Sequence, residues 1–287
     1  MSVIVTKPVA TKPLAAPAPV SGSQRRAPSG ITRFFHELGG MVALFGLTIA
    51  RAARPPYSYA PEFVSQLRFA LATCWFPLVL TSFALSFGPA GVQASDFLGL
   101  FGALDRLGGA YVLITVREFA PLVAGIVIAG AVGTAVCADL GARVVREEMD
   151  ALQVLGVDPI KSIVAPRLLV IVITCVIADV IGIVAGIAGA LLVLVQNHAP
   201  IGPFLSTFFA NGTDLEFASA LLKSVLYGAI IAIVACYKGM NVSRGPESVG
   251  RAVNQTVVIA FLAIGAIDYA FTQYLLATHP ILSEVHG

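Results

Sequence analysis

The sequence predicts an all-α, polytopic membrane protein, on the strength of its composition, its long apolar runs and its charge distribution. Of 287 residues, 57% are hydrophobic and 12% are charged, and the mean hydropathy is +0.87. A soluble domain carries about 25% charged residues, so this chain lacks the polar side chains that would cover a water-facing surface. The composition excludes an ordinary cytosolic enzyme and a disordered chain, and the formal net charge of +2 does not suggest nucleic acid as a partner.

Five apolar runs are each long enough to cross a bilayer, which takes about 20 helical residues. They cover 69–87, 110–138, 168–195, 217–237 and 252–278. The third and fifth runs exceed the minimum length, so we expect these helices to tilt or to protrude from the bilayer. The segments 88–109 and 196–216 are rich in Gly, Pro and polar residues, and we interpret them as the outer loops.

The first 54 residues divide into two parts. Residues 1–29 combine prolines with Lys and Arg and contain no acidic residue, which predicts a disordered cytoplasmic tail. Residues 31–54 space their apolar side chains by three and four and end on Arg51 and Arg54, which predicts an amphipathic helix lying in the membrane interface. A short first span is the alternative for this segment.

The distribution of Lys and Arg predicts the orientation. The two loops that follow the second and fourth runs carry seven of these residues, whereas the opposite side carries only Arg106. Because short cytoplasmic loops are enriched in Lys and Arg, the N-terminus is expected in the cytoplasm. Five spans then place the C-terminus, with a short tail over 281–287, outside the cytoplasm.

Charged residues inside the apolar runs need an explanation, because each costs about 2.5–3.5 kcal/mol at the bilayer centre on insertion scales. They either pair to hold helices together or line a polar pathway, and the two roles are compatible. The candidates are Arg117, Glu118, Asp179, Lys223 and Asp268.

Charge balance predicts how these residues pair. We expect Glu118 near Lys223 and Arg117 near Asp268, although the pairing could be exchanged. Asp179 is left over, and it is then protonated, hydrogen-bonded to backbone, or hydrated. Pro121 cannot donate a backbone hydrogen bond to the carbonyl of Arg117, so a kink and a free acceptor are expected beside the charged pair.

The loop 141–167 is unusually regular. Apolar and charged residues form separate stripes over 141–156, which predicts an amphipathic helix ended by Gly156. Asp158 and Pro159 then have the sequence of an N-cap and first position of a second short helix. This segment is either a solvated connector or a helix that docks into a cytoplasmic partner.

No motif of an enzyme is present, so we expect no catalytic, cofactor-binding or metal-binding residue in this chain. GxxxxGK[ST], HExxH and GxSxG are all missing from the sequence. The four histidines are dispersed, and the four cysteines lie in four different apolar runs, as expected of buried thiols.

An ordered set of short motifs resembles the MlaE/YrbE permease family. Residues 117–121 (R-E-F-A-P) resemble its R-E-L-G-P, 138–141 (A-D-L-G) its A-E-L-G, and 147–152 (E-E-M-D-A-L) its E-Q-I-D-A-L. Residues 156–160 with Pro166 and Arg167 follow at the family's spacing, and 236–239 and 249–254 resemble its last cytoplasmic loop. The resemblance covers about 31–278.

The resemblance implies a permease subunit of an ATP-driven lipid transporter in the cell inner membrane. It implies a paired permease, two separate ATPase subunits that bind ATP and Mg, and a ring of MCE-domain proteins outside the membrane. A fatty acid, sterol or phospholipid would be the substrate. By position, a coupling helix to the ATPase would include Arg143, Arg146, Glu147, Glu148, Asp150 and Leu152. Glu118, Lys223 and Asp268 stand where the family carries buried charges near its lipid path. With Arg117, Pro121 and Asp179 they form the predicted charge network or lipid path.

Departures from the family pattern bear on the partner. Ala120 stands for the usual Gly, Glu148 for the usual Gln, and 245–248 departs from a G-A-E-G-like stretch. These features resemble the actinobacterial Mce-associated YrbE permeases, which come as unequal pairs, so a heterodimer with a second YrbE-type permease is expected. The rival interpretations are an ion-coupled secondary transporter that uses the buried carboxylates and a structural anchor for the MCE assembly.

Overall fold

The structure is a computed structural model, and it describes residues 30–52, 60–243 and 245–279. Residues 1–29, 53–59, 244 and 280–287 lie outside this part, and with them the predicted N-terminal and C-terminal tails. By its internal contacts the chain divides into 1–37 and 38–287. The described part of the first unit is the beginning of one helix, and the second unit contains every other described element.

All regular structure in the described part of the chain is helical. The α-helices are α1 (Gly30–Ala52), α2 (Ala60–Phe87), α3 (Ala94–Leu100), α4 (Leu107–Tyr111), α5 (Ala120–Ile128), α6 (Thr134–Val145), α7 (Glu148–Val154), α8 (Ala165–Gln196), α9 (Ile201–Asn211), α10 (Asp214–Met240) and α11 (Pro246–Thr278). Wider, π-type turns cover Gly88–Gln93, Val112–Phe119, Ala129–Gly133 and Ile160–Val164, and a 3₁₀ turn covers Leu104–Arg106.

Five segments of the described chain are long and apolar enough to cross a membrane, as predicted. They are Ala60–Leu100, Leu104–Val145, Ile160–Gln196, Asp214–Met240 and Pro246–Thr278. Each contains one predicted run and extends beyond it at both ends, except that the fifth segment ends at 278, where its predicted run also ends. The helix predicted over 31–54 is present as α1, but its position in the membrane interface stays a prediction.

The third span is packed closely against its neighbours. Helix α8 contacts α2, α5 and α10 along its length. Its face of small residues lies against α2: a Cβ added to Gly189 would lie 3.0 Å from the backbone nitrogen of Phe87, and one added to Gly182 would lie 3.2 Å from the Ser82 hydroxyl oxygen. Small residues let two helices approach in this way, which accounts for the glycine spacing of this run.

The two predicted outer loops are largely helical, which corrects the interpretation of 88–109 and 196–216 as loops. The first contains a π-type turn, α3 and the beginning of α4, and the second contains α9. A Cβ on Gly108 would collide with the carbonyl oxygen of Phe204 in α9, and Thr207 donates a hydrogen bond of 2.9 Å to the carbonyl of Asp105. Glycine here serves close packing between helices as well as turns.

The helix predicted over 141–156 is broken, and this is a second correction. Helix α6 ends at Val145, Glu147 has a positive φ of 59°, and α7 begins at Glu148. Glu147 and Asp150 therefore do not share one helical face. The break redirects the chain so that Met149 is buried in the hydrophobic core, with Leu152 partly buried against it. Burial of these apolar side chains favours the break over a straight helix.

The end of α7 follows the prediction. Gly156 has a positive φ of 75°, its backbone nitrogen donates to the carbonyl of Gln153, and that of Val157 donates to the carbonyl of Leu152. This pair of bonds is the Schellman arrangement that satisfies the last carbonyls of a helix. The Asp158 carboxylate then accepts a 3.0 Å hydrogen bond from the backbone nitrogen of Ile160, as an N-cap does.

Candidate functional site

Helix α10 carries one stripe of polar side chains into the bundle. Glu216, Lys223 and Tyr227 follow each other at spacings of seven and four, so they lie on one face of the helix. The side chains of Glu216 and Lys223 are each 1% exposed. A buried stripe of this kind needs partners on neighbouring helices, because an unpaired charge at this depth is costly.

Arg117 and Glu216 form the first buried pair. Arg117 Nε lies 3.0 Å from Glu216 Oε2, and a second guanidinium nitrogen contacts Oε1, so the pair is bidentate. Such two-point contacts are among the stronger charge-assisted hydrogen bonds. The predicted pairing of Arg117 with Asp268 is therefore wrong. Glu216 was assigned to a loop, but Thr213 caps α10 and brings Glu216 into its first turn.

Lys223 is the centre of the second cluster. Its Nζ lies 2.9 Å from Glu118 Oε2, 2.8 Å from Asp268 Oδ1 and 3.0 Å from the carbonyl oxygen of Arg117. The three N–H groups of the ammonium thus have three acceptors. The predicted contact between Glu118 and Lys223 is confirmed, and Asp268 joins the same cation. Pro121 explains the third acceptor, since it leaves the Arg117 carbonyl without its usual helical donor.

The carboxylates of this cluster are held by hydroxyl groups of two helices. Thr272 Oγ1 donates to Glu118 Oε1 at 3.0 Å, and the Tyr227 hydroxyl donates to Asp268. The Glu118 side chain is 29% exposed and that of Asp268 is 20% exposed, whereas the side chain of Lys223 is buried. The cluster therefore presents its acidic side to the surface of this chain, beside α11.

Asp179 does not join the network. It is fully buried in α8, and neither of its carboxylate oxygens has a hydrogen-bond partner within the described ranges. Its side chain lies beside Ser224 and is close enough to Lys223 to interact with the positive charge of that side chain. The Ser224 hydroxyl donates instead to the carbonyl of Leu221 at 2.8 Å, so its one hydrogen is already used. No backbone group of the described residues donates a hydrogen bond to Asp179, so that predicted state is not found there. Protonation and hydration of Asp179 stay predictions.

A second charged region lies where α6, α7 and α8 meet. Arg167 is 1% exposed and lies 2.5 Å from Asp139, and it donates to the carbonyl of Ile163 at 2.9 Å. Arg143 lies 3.2 Å from the same Asp139 and 3.8 Å from Glu148, whose other carboxylate oxygen is 2.7 Å from Arg146. The ion pairs of Glu148 with Arg143 and Arg146 therefore stabilise the corner between α6 and α7.

The remaining side chains of α7 face outward. Asp150 and the preceding Glu147 are exposed, and Val154 and Leu155 are 87% and 76% exposed. Leu152 is half-buried against the core, so it supports the helix from within. Val154 was not among the residues predicted from the sequence. Its exposure could have been suspected because it is an apolar residue two positions before Gly156, which ends the helix. Acidic and apolar side chains together form an outward surface on this short helix.

The described residues have the architecture of a polytopic membrane protein: apolar helices long enough to cross a membrane surround a buried charge network, and one loop contains a short exposed helix. Comparison with known proteins agrees. Residues 63–274 match the family described as permease MlaE. A probable ABC transporter permease protein of Rickettsia typhi is 31% identical over 243 residues, which is 84% of this chain and 93% of the relative. The chain belongs to the MlaE permease family and is an ABC transporter permease, a multi-pass membrane protein.

Two further relatives match a shorter part of the chain. A probable ABC transporter permease protein of Synechocystis is 34% identical over 172 residues, covering 60% of this chain and 65% of the relative. The chloroplastic protein TRIGALACTOSYLDIACYLGLYCEROL 1 of Arabidopsis thaliana is 30% identical over 174 residues, covering 60% of this chain and 50% of the relative. The matched family segment includes the charge network and α7.

Proposed function

We propose that this chain is the permease of an ATP-driven, Mce-type lipid transporter and couples a separate ATPase to an MCE-domain assembly outside the membrane. The family match over 63–274 carries the proposal. The name of the Arabidopsis relative contains that of a glycolipid, which supports a lipid as substrate. A fatty acid, sterol or phospholipid is the proposed class, and a second YrbE-type permease is the proposed partner within the inner membrane.

We assign α7 to the contact with the ATPase. Its outward surface combines the carboxylates of Glu147 and Asp150 with the apolar side chains of Val154 and Leu155. Exposed apolar residues next to charges are typical of a surface that a partner covers. The corner formed by Arg143, Arg146 and Glu148 holds the helix in place, so force on α7 reaches α6 directly.

The test is lipid transfer by the reconstituted complex. The chain is purified with its ATPase and MCE partners, and ATP-dependent movement of labelled phospholipid is measured beside ATP hydrolysis. Reversing Glu147 and Asp150 to lysine should leave the protein in the membrane but uncouple hydrolysis from transport. Glu247→Lys, a charge reversal at an exposed carboxylate in the first turn of α11 with half the charge change of the double variant, is the control. Normal transport by the double variant would refute the assignment of α7.

The orientation is tested separately. The excess of Lys and Arg in two loops supports a cytoplasmic N-terminus and an extracytoplasmic C-terminus. A reporter fused after Gly287 should therefore be accessible from outside the cytoplasm. Labelling of that reporter from the cytoplasm would mean that α1 spans the membrane or that one of the five segments does not.

One observation favours the rival function of an ion-coupled carrier. Asp179 is a buried carboxylate for which the described chain supplies no hydrogen bond, and such groups in membranes serve as proton sites in pumps and carriers. Lipid movement by this chain alone under a proton gradient, abolished by Asp179→Asn, would establish that function. Strict dependence on the ATPase supports the first proposal instead.

A further inference from the structure

A cavity of about 310 Å³ lies away from the Lys223 network, between the beginning of α2, the end of α6 and the beginning of α8. Its lining runs from Phe69 on α2 to Asp139 on α6 and Arg167 on α8. Apolar runs of the sequence begin at 69 and 168 and end at 138, so each of these three residues lies at a run boundary or directly next to one. The cavity therefore lies at the depth where hydrocarbon gives way to lipid headgroups.

The polar wall of the cavity contains two guanidinium groups. Arg143 is about one-third exposed, whereas Arg167 is 1% exposed and its Nε has no acceptor among the residues that the structure describes. A buried donor without an acceptor is costly, so a ligand or water is expected to complete this site. Guanidinium groups match phosphate oxygens well in geometry and in charge.

The cavity also contains opposite charge. Asp139 lines it and contacts both arginines, and Glu62 lies 3.6 Å from Arg167 at its edge. Two cations thus face two carboxylates, and a simple anion would meet no net positive charge. A ligand that carries both a phosphate and an ammonium group satisfies both sets of side chains.

The rest of the lining is polar at Ser65 and Gln66 and apolar at Phe69, Ala135 and Val136. The Phe69 side chain is 51% exposed. An acyl chain that leaves the cavity along Phe69 would enter the hydrocarbon region directly. The cavity therefore joins a polar pocket to a lipid-facing apolar surface, which suits an amphipathic ligand better than a soluble one.

We propose that this cavity binds the headgroup of a zwitterionic phospholipid of the phosphoethanolamine type. The phosphate lies against Arg143 and Arg167, the ammonium lies against Asp139, and the acyl chains follow Phe69 into the bilayer. The site is separate from the Lys223 network, and the inference holds whether or not this lipid is the one transported.

Native mass spectrometry of the full-length chain, purified in detergent, tests the proposal. Dioleoyl phosphatidylethanolamine is titrated against dioleoylglycerol, which has the same chains without the headgroup, and against dioleoyl phosphatidylglycerol. We expect phosphatidylethanolamine to bind at least about tenfold more tightly than the diacylglycerol, because charge-assisted hydrogen bonds are lost with the headgroup. Equal binding of the diacylglycerol overturns the headgroup site, and equal binding of phosphatidylglycerol overturns the ammonium contact.

Two variants of the cavity, one control variant and one soluble probe complete the test. Arg143→Gln should weaken phosphatidylethanolamine binding about tenfold, whereas Arg146→Gln, the same change outside the cavity, should not. Ala135→Leu narrows the cavity and leaves every ion pair in place, so it decides the matter if Arg143→Gln fails to fold. Unchanged lipid binding by Ala135→Leu overturns the proposal. Displacement of the lipid by millimolar inorganic phosphate would instead assign the cavity to a soluble anion.

Discussion

Two buried cations, Lys223 and Arg167, are both 1% exposed but have different surroundings. Lys223 lies between three spans, and all three of its N–H groups have acceptors within the chain. Arg167 lies at the beginning of a span beside a cavity, and its Nε has no acceptor in the described ranges. The difference follows from depth: hydrocarbon supplies no hydrogen bonds, whereas water and headgroups supply them at the interface.

The comparison shows which charges the fold requires. At depth, removing one partner of a buried pair leaves an unsolvated charge. Near the interface the carboxylates around Arg167 are partly exposed, 41% for Asp139 and 43% for Glu62, so water can solvate them when the cation is removed. The same type of substitution should therefore have different effects at the two sites.

The largest effect is expected for Lys223→Met. This change leaves Glu118, Asp268 and the Arg117 carbonyl without their shared donor, and it should lower the free energy of unfolding by about 3–5 kcal/mol. Thermal unfolding in detergent and the yield of purified complex measure the loss. Lys161→Met, the same substitution at a partly exposed residue of the π-type turn before α8, is the control. An equal loss in both variants would show that burial of Lys223 is not the cause.

A thermodynamic cycle sharpens this prediction. Glu118→Gln alone leaves Lys223 with one fewer anion, so combining it with Lys223→Met should cost less than the sum of the single losses. Additive losses would show that the two side chains do not interact. Full stability of the double variant together with loss of lipid transport would place these charges in the pathway as well as in the scaffold.

Glu216→Gln is expected to cause the second-largest loss of stability. The side chain at 216 would lose its charge and keep only one acceptor oxygen for Arg117. The free energy of unfolding should therefore fall by about 1.5–3 kcal/mol. The same measurement on Glu247→Gln, an exposed carboxylate in the first turn of α11, serves as the reference. A negligible loss for Glu216→Gln would mean that Arg117 is stabilised mainly by other contacts.

Arg167→Gln should have a smaller effect than Lys223→Met despite equal burial. The carboxylate partners of Arg167 are partly hydrated, so we expect the free energy of unfolding to fall by about 1–2 kcal/mol. Unfolding measured side by side for the two variants tests the comparison directly. A loss at Arg167 equal to that at Lys223 would contradict the argument from depth.

The smallest effect is expected for Glu148→Gln at the corner of α6 and α7. Its contacts with Arg146 and Arg143 are between side chains that are 31–59% exposed, and such pairs contribute about 0–1 kcal/mol. Salt should reduce the difference from the unchanged chain further, since exposed ion pairs are screened. A loss above that of Arg167→Gln would show that the corner is stabilised more than its exposure implies.

Sequence reasoning located most of these groups but not all of their contacts. The cost of an intramembrane charge predicted that Lys223 and Glu118 would pair, and Pro121 predicted a free carbonyl at Arg117 that Lys223 now uses. Glu216 was missed, because its run of neighbours looks polar and loop-like until the Thr213 cap extends α10 to include it. The helix break at Glu147 was also missed, since a regular stripe does not show where the core lies.

The sequence by itself determined the five membrane-spanning segments and the need to neutralise the charges within them. Both depend on local chemistry: backbone groups in hydrocarbon must be satisfied within a helix, and an isolated charge there is costly. Only the tertiary structure decided that Arg117 pairs with Glu216, that Asp268 shares Lys223, and that a cavity forms beside Arg167. These contacts join residues from different helices, and the packing of those helices is not encoded in the periodicity of any one of them.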